Sequence, residues 1–244
     1  MFSIICVYND REILDNYLIK SLDNQNTNYE LILVDNSDSK FKSAAEALNY
    51  GGQKATGDYL MFVHQDIELL SENWLIDAEK HSNSLKNLGI AGIAGRAYNK
   101  GWSITNIKDG IPPRDVSPNH GLKYPTKVQT LDECLIIIPK EIFSKINFDE
   151  ENCDSWHLYA VDYSLSIKKI GYDVYVLPLP AYHRSRGYSL SKGYYETLKK
   201  LLSKHGQDTS VILTTMGDWS INYPLIVQKY YFLFKNKIWT LLKN

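Results

Sequence analysis

His64, Gln65 and Asp66 follow directly on Tyr59 to Val63, an apolar run with the length and residue types of a strand buried on both faces. An imidazole, a carboxamide and a carboxylate are thereby delivered together to the end of a strand, a set equipped to bind and orient a polar ligand. In open α/β sheets the crevice outside the carboxyl ends of the strands is where ligands bind, because helices cover the faces. The same tripeptide also fits a plain polar turn, with Asp66 or Glu68 starting a helix. The surrounding elements decide between the two.

Those elements repeat one pattern. Phe2 to Val7 is a short apolar run that ends in Tyr8 and Asn9, and Asn9 or Asp10 can cap a helix over Glu12 to Leu22. Tyr29 to Val34 is a second such run and ends in Asp35, Asn36 and Ser37. Helix formers from Lys42 to Asn49 come next, interrupted by Gly51-Gly52, and Gly57 leads into the third run. Strand-then-helix units in this order predict a doubly wound, mostly parallel sheet whose first three strands end on one ligand-facing edge. That edge would carry Tyr8 and Asn9, then Asp35, then His64 to Asp66. No Gly-x-Gly-x-x-Gly follows the first strand and no Gly-Lys-Ser/Thr occurs, which excludes the dinucleotide and P-loop fingerprints.

The totals describe an ordinary globular chain. Its 244 residues are 44% hydrophobic and 12% aromatic, enough for a full core. A net charge of −1 argues against nucleic acid as a partner. Cys6, Cys134 and Cys153 form no metal-like pair and leave one thiol over from any disulfide scheme, so a reducing, cytoplasmic setting is expected. The first residues lack the basic leader of a signal peptide, and no run of about eighteen apolar residues is present to span a bilayer.

On these residues the chain resembles the GT-A fold glycosyltransferases of the family 2 type. The matching motifs are Val7-Tyr8-Asn9, Val34-Asp35-Asn36-Ser37, the Asn-x-Gly-x-x-x-Ala segment from Asn49 to Ala55, and Gly57-Asp58-Tyr59-Leu60 leading toward Asp-x-Asp. At that last motif His64 stands where the first aspartate usually is, as in a bacterial subgroup with His-Gln-Asp. The resemblance implies a nucleotide-sugar donor bound by Val7, Tyr8, Asn9, Asp35, Lys54, His64 and Gln65, and Mn²⁺ or Mg²⁺ held by Asp66 and His183. Arg184 and Arg186 would pair with the diphosphate in two-pronged geometry. It further implies that Asp162, at the start of a helix pattern, is the catalytic base, although Val161 replaces the usual glutamate. Without the resemblance, Asp162 reads more readily as an inert first-turn aspartate than as a base.

The rest of the chain is less regular. Leu88 to Ala94 predicts a buried strand, and residues 96–128 form a Gly- and Pro-punctuated stretch that is either an acceptor-side loop or a plain surface excursion. Asp132 and Glu133 interrupt an apolar region before the strand Leu135 to Ile138. With Trp156 and His157 they are assigned to a glycan or lipid-linked acceptor. Tyr172 to Leu177 predicts the last strand and Leu190 to His205 a helix. The expected division is a glycosyltransferase domain at 1–205, with a nucleotide-sugar half at 1–95 and an acceptor half at 96–205, followed by a helical appendage at 206–244. That appendage is aromatic and basic, with no acidic residue after Asp218. Two readings fit it, peripheral contact with an anionic bilayer at the inner face of the membrane and packing against the domain or a second copy in a homodimer. The activity implied by the resemblance is metal-dependent, inverting transfer of a sugar to a hydroxyl in polysaccharide biosynthesis. The rival from another class is a non-catalytic nucleotide-sugar or glycan-binding module, which would not leak donor sugar to water.

Overall fold

The computed structural model describes residues 1–98, 100–117, 121–185 and 190–242, with side chains described through 234. Arg186, expected at the diphosphate, lies outside the described residues. The first three strands are β1 (Phe2–Tyr8), β2 (Tyr29–Asp35) and β3 (Tyr59–Val63). Between β1 and β2 runs α1, which is α-helical over Arg11–Leu14, π-helical over Asp15–Ile19 and α-helical again over Lys20–Leu22. The Asp10 side chain caps it by accepting from the Ile13 N–H at 3.0 Å. Between β2 and β3 runs α2 (Ala44–Gly52), capped by Ser43 through the Glu46 N–H, while the Glu46 carboxylate takes the Lys42 N–H. The helix takes in Gly51 and Gly52 as its last residues, instead of being interrupted ahead of them as the sequence suggests. A Cβ on Gly52 would lie 2.6 Å from the Phe143 ring, so the glycines let α2 lie close on the sheet.

After β3 come β4 (Ile67–Leu69), α3 (Trp74–Ser84), β5 (Leu88–Gly92) and β6 (Ala94–Arg96). The stretch expected as a loop contains short strands: β7 (Ile104–Thr105), β8 (Ile107–Asp109), β9 (Arg114–Asp115) and β10 (Thr126–Lys127). It continues through β11 (Thr130–Leu131), β12 (Leu135–Pro139), α4 (Lys140–Phe143), α5 (Tyr159–Lys169), β13 (Asp173–Val176) and β14 (Ala181–His183). The chain ends with α6 (Lys192–His205), a hairpin of β15 (Val211–Thr214) and β16 (Gly217–Ser220), and α7 (Leu225–Leu242).

The central sheet has seven strands in the order β10-β13-β5-β12-β3-β1-β2. β1 lies parallel to both β2 and β3, and β13 parallel to β5, whereas β12 is antiparallel to both of its neighbours. Side chains alternate between two cores, as a strand's period of two requires. Leu60 and Phe62 of β3, with Ile136 and Ile138 of β12, face α2, α5 and α6. Met61 and Val63, with Leu135 and Ile137, face α1 and α3. The architecture is mixed α/β with a large, mostly parallel sheet. The hairpin is a departure from the expected division at 205, because Ile212 and Trp219 are fully buried in the first of these cores. α7 packs on this core through its inward face alone, where Leu225 and Phe232 meet it. The three cysteines are free and buried.

Candidate functional site

Parallel pairing brings the ends of β1, β2 and β3 to one edge, with Tyr8 in register with Asp35. The antiparallel β12 enters the sheet at that same edge, since Leu135 pairs with Val63 and the His64 N–H donates to the Cys134 carbonyl at 2.9 Å. Asp132 and Glu133, which lead into β12, therefore lie next to His64. A second, four-stranded sheet in the order β4-β14-β8-β9 pairs His183 with Ile67 and so brings the end of β14 back onto Asp66.

His64, Asp66 and His183 converge as a result, each offering one ligand atom within 4.8 Å of the others. His183 Nε2 is 3.3 Å from Asp66 Oδ1 and 2.9 Å from the Ser185 hydroxyl, and the Ser185 N–H donates to Asp66 Oδ2 at 3.1 Å. Burial alone would raise the Asp66 carboxyl, but the hydrogen bond from His183 overrides it and holds Asp66 well below the usual carboxylate range. Burial would likewise lower the His183 imidazole, yet Asp66 beside it leaves it raised. His64 is pushed down by burial and by His183. Its Nε2 sits 3.3 Å from the Tyr159 hydroxyl, which in turn donates to the Glu133 carbonyl at 3.1 Å.

A cleft of about 610 Å³ opens on this cluster. Its walls include Val7, Tyr8, Asn9, His64, Gln65, Asp66 and Trp156 from the sequence-derived set. Asn36, Ser39, Phe41, Lys42 and Tyr159 also line it and were not singled out; Asn36 stood in a matching motif without a role, the 39–42 turn has no signature of its own, and Tyr159 reads as an ordinary first-turn helix residue. Asp35 is not part of the lining; its carboxylate accepts from the Ser37 hydroxyl at 2.6 Å and from the Tyr8 hydroxyl at 2.9 Å, both holding it below its ordinary range. Gln65 serves the cleft as a clamp. Its Oε1 accepts from the Asn9 and Asp10 N–H groups and its Nε2 donates to Asn9 Oδ1, so the turn after β1 is tied to the end of β3.

Behind the shared wall of His64 and Trp156 lies a smaller inner cavity of about 210 Å³, lined by Asp132, Glu133, His157, Val161, His183, Thr215 and others. Asp132 is held at both oxygens, by the Cys134 N–H at 3.1 Å and by the Thr215 hydroxyl at 2.5 Å. The Glu133 carboxylate takes the N–H of Leu158, the residue before α5, whose backbone sits in the left-handed region at φ 66°. Burial pushes the Glu133 carboxyl up to about 8. His157 Nε2 is 2.9 Å from the Ser191 hydroxyl.

Three expected members fall elsewhere. Asp162 lines neither cavity. It is 2% exposed, and its carboxylate is taken up by Lys204 Nζ at 2.8 Å and His205 Nε2 at 2.7 Å. Its neighbour Val161 faces the inner cavity instead, one residue along a helix being about 100° away. A base must reach the proton that it takes, so this placement corrects the expectation for Asp162. Lys54 lies beyond the far end of α2, with its ammonium 3.8 Å over the Tyr50 ring, while the start of that helix faces the cleft. Nine residues of helix, about 13 Å, separate the two ends. Lys42 is the lysine at the cleft. Arg184 lines neither cavity, and its guanidinium lies 5.9 Å over the Tyr17 ring.

A model of the glycosyltransferase like family matches residues 3–205. Among solved structures, GalNAc-T7 with UDP, GalNAc and Mn²⁺ superposes with a TM-score of 0.61 at 15% identity, over 83% of this chain and 47% of that one. TarS 1-349 of S. aureus with UDP-GlcNAc gives 0.58 at 16% identity, over 83% and 66%. The mannosyltransferase PcManGT of Pyrobaculum calidifontis with GDP-Man and Mn²⁺ gives 0.56 at 14%, over 85% and 64%. These likenesses show the GT-A fold, and the chain spans about half to two thirds of the length of those neighbours. No curated protein matches the chain.

Proposed function

Because the chain belongs to this glycosyltransferase-like family, we propose that it moves a sugar from a nucleoside diphosphate donor to a hydroxyl acceptor, with inversion at the anomeric carbon. The observation that carries this reading is the cluster of His64, Asp66 and His183, in which His64 and Asp66 line a cleft large enough for a nucleotide and His183 lines the inner cavity behind it. Two imidazole nitrogens and a carboxylate suit Mn²⁺ better than Mg²⁺, which prefers carboxylate, phosphate and water oxygens. The neighbours solved with Mn²⁺ support that choice. When bound there, Mn²⁺ would neutralise the charge gathering on the leaving diphosphate.

The chain's own residues do the rest. Tyr8 and Asn36 border the nucleoside, Asp35 fixes the Tyr8 hydroxyl from outside the cleft lining, Lys42 brings a cation to the cleft, and Trp156 supplies an apolar wall between donor and acceptor sides. Asp132 takes the place expected for Asp162. Held by Thr215 and the Cys134 N–H, it accepts the proton of the acceptor hydroxyl as that oxygen bonds to the anomeric carbon, and the diphosphate leaves with the electron pair of the broken bond.

Thermal shift against a panel of nucleotide sugars, with and without Mn²⁺, tests the reading. A donor should raise Tm, Mn²⁺ should enlarge the shift, and Asp66→Ala should remove the enlargement. Asp132→Asn should keep the donor shift and lower turnover by about 10²- to 10⁴-fold, and full turnover in that variant would remove Asp132 from the role. The second reading, a donor-binding module without catalysis, draws support from the diversion of Asp162 into an ion cluster. Donor hydrolysis separates them, because a transferase releases sugar to water and a binding module does not.

A further inference from the structure

The outward face of α7 is apolar and uncovered. Ile226, Val227, Tyr230, Tyr231, Leu233 and Phe234 are 46–67% exposed. At 100° per residue they fall within one arc of about 160°. The inward face is anchored. The Phe232 ring packs on Trp219 at 5.7 Å between centroids, and the Gln228 carboxamide bonds the Ser220 N–H and the carbonyls of Ser220 and Tyr223. An apolar area of this size on one helix is unusual for a face meant for water. No helix among the described residues is long and apolar enough to cross a membrane.

Charge says what covers the face. From Trp219 to Asn244 the sequence carries Lys229, Lys235, Lys237 and Lys243 and no acidic residue, a net +4 on a chain whose total is −1, so that the preceding 218 residues carry −5. A second copy of the chain docked through α7, which itself carries Lys229, Lys235 and Lys237, would set +3 against +3. An anionic surface would attract α7 and repel the body, orienting the protein with the helix down. Tyrosine and phenylalanine over lysine is also the composition that settles at the boundary between headgroups and acyl chains.

We propose that α7 lies in the surface of a bilayer bearing anionic lipids and seats the protein there. The proposal is independent of the donor chemistry. It is tested by co-sedimenting the full chain with vesicles of pure phosphatidylcholine and with vesicles containing phosphatidylglycerol, at low and high salt. The chain should pellet with the anionic vesicles, bind neutral ones at least roughly tenfold more weakly, and lose most of the difference in 1 M NaCl, where the Debye length is about 3 Å. The double variant Tyr230→Ser, Phe234→Ser changes only exposed side chains, so it should keep the wild-type Tm while losing vesicle binding. Absence of binding to anionic vesicles at low salt overturns the proposal. So does equal binding by the variant, or a concentration-dependent dimer that the variant abolishes without any effect of lipid.

Discussion

Asp162 lies away from both cavities, and the reason is visible in its partners. Asp162 neutralises Lys204 and sits against His205, joining α5 to α6 in the core. Removing it leaves Lys204 leaning on Asp149 alone. Asp162→Ala should cost about 3 kcal/mol, or roughly 6–12 °C in Tm for a chain of this size, with turnover per folded molecule retained at low temperature. Calorimetry and a transfer assay on the same sample separate the two effects. Glu133 gives a prediction in pH. Its carboxyl titrates at about 8 in the folded protein and near 4.3 unfolded, so its contribution to stability is full below pH 4.3 and is lost as pH rises through 8. Glu133→Gln keeps an acceptor for the Leu158 N–H. The Tm difference, variant minus wild type, should therefore grow between pH 5 and 8 and level off above. His64 and Asp66 were legible as the polar end of a buried strand, whereas His183 as a metal ligand came only from the resemblance, and His64 was expected to bind the donor rather than to join the cluster. Direction on a helix was not legible: the resemblance placed Asp162 one position past the residue that faces the cavity, and Thr215 lies 83 residues from the carboxylate it holds.

Among the elements, the long strands of the central sheet were readable because they are largely apolar runs, and the polar last residues of the first three marked the edge. What could not be read was pairing. β4 is three residues long, and nothing in Ile67-Glu68-Leu69 announces β14 as its partner, although that pairing is what returns His183 to Asp66. The π-helical stretch in α1 has no sequence mark either. Gly51-Gly52 misled in the opposite direction, since glycine lowers helix propensity but here admits the Phe143 ring and the Ile5 side chain against the α2 backbone. Gly52→Ala should improve propensity and still destabilise by about 1–3 kcal/mol through overpacking. Urea unfolding with an unchanged m-value would report it.

At the scale of the molecule, two cores on opposite faces of one sheet follow from alternating apolar residues, and that much the composition and periodicity foretold. The hairpin of β15 and β16 escaped because Val211 to Thr214 is short and Trp219 reads as part of a basic aromatic tail. Yet Arg96 is paired to Asp218 at 2.6 Å, and Gln129 accepts the Leu213 N–H at 2.8 Å, so the hairpin is stitched to the middle of the chain. It also forms, with α7, a groove of about 740 Å³ that shares Thr214, Thr215 and Met216 with the inner cavity.

The Thr215 hydroxyl has a practical corollary. The match to the family ends at His205, ten residues before the group that fixes Asp132. A fragment trimmed to the matched segment would shed that hydroxyl together with the indole of Trp219, exposing a hole above α6. Such a fragment should aggregate or melt early, and whatever survives should hold donor without turning it over, whereas a fragment ending at Asn222 should keep both properties. Differential scanning fluorimetry on the two truncations decides whether the working unit is longer than its ancestry advertises.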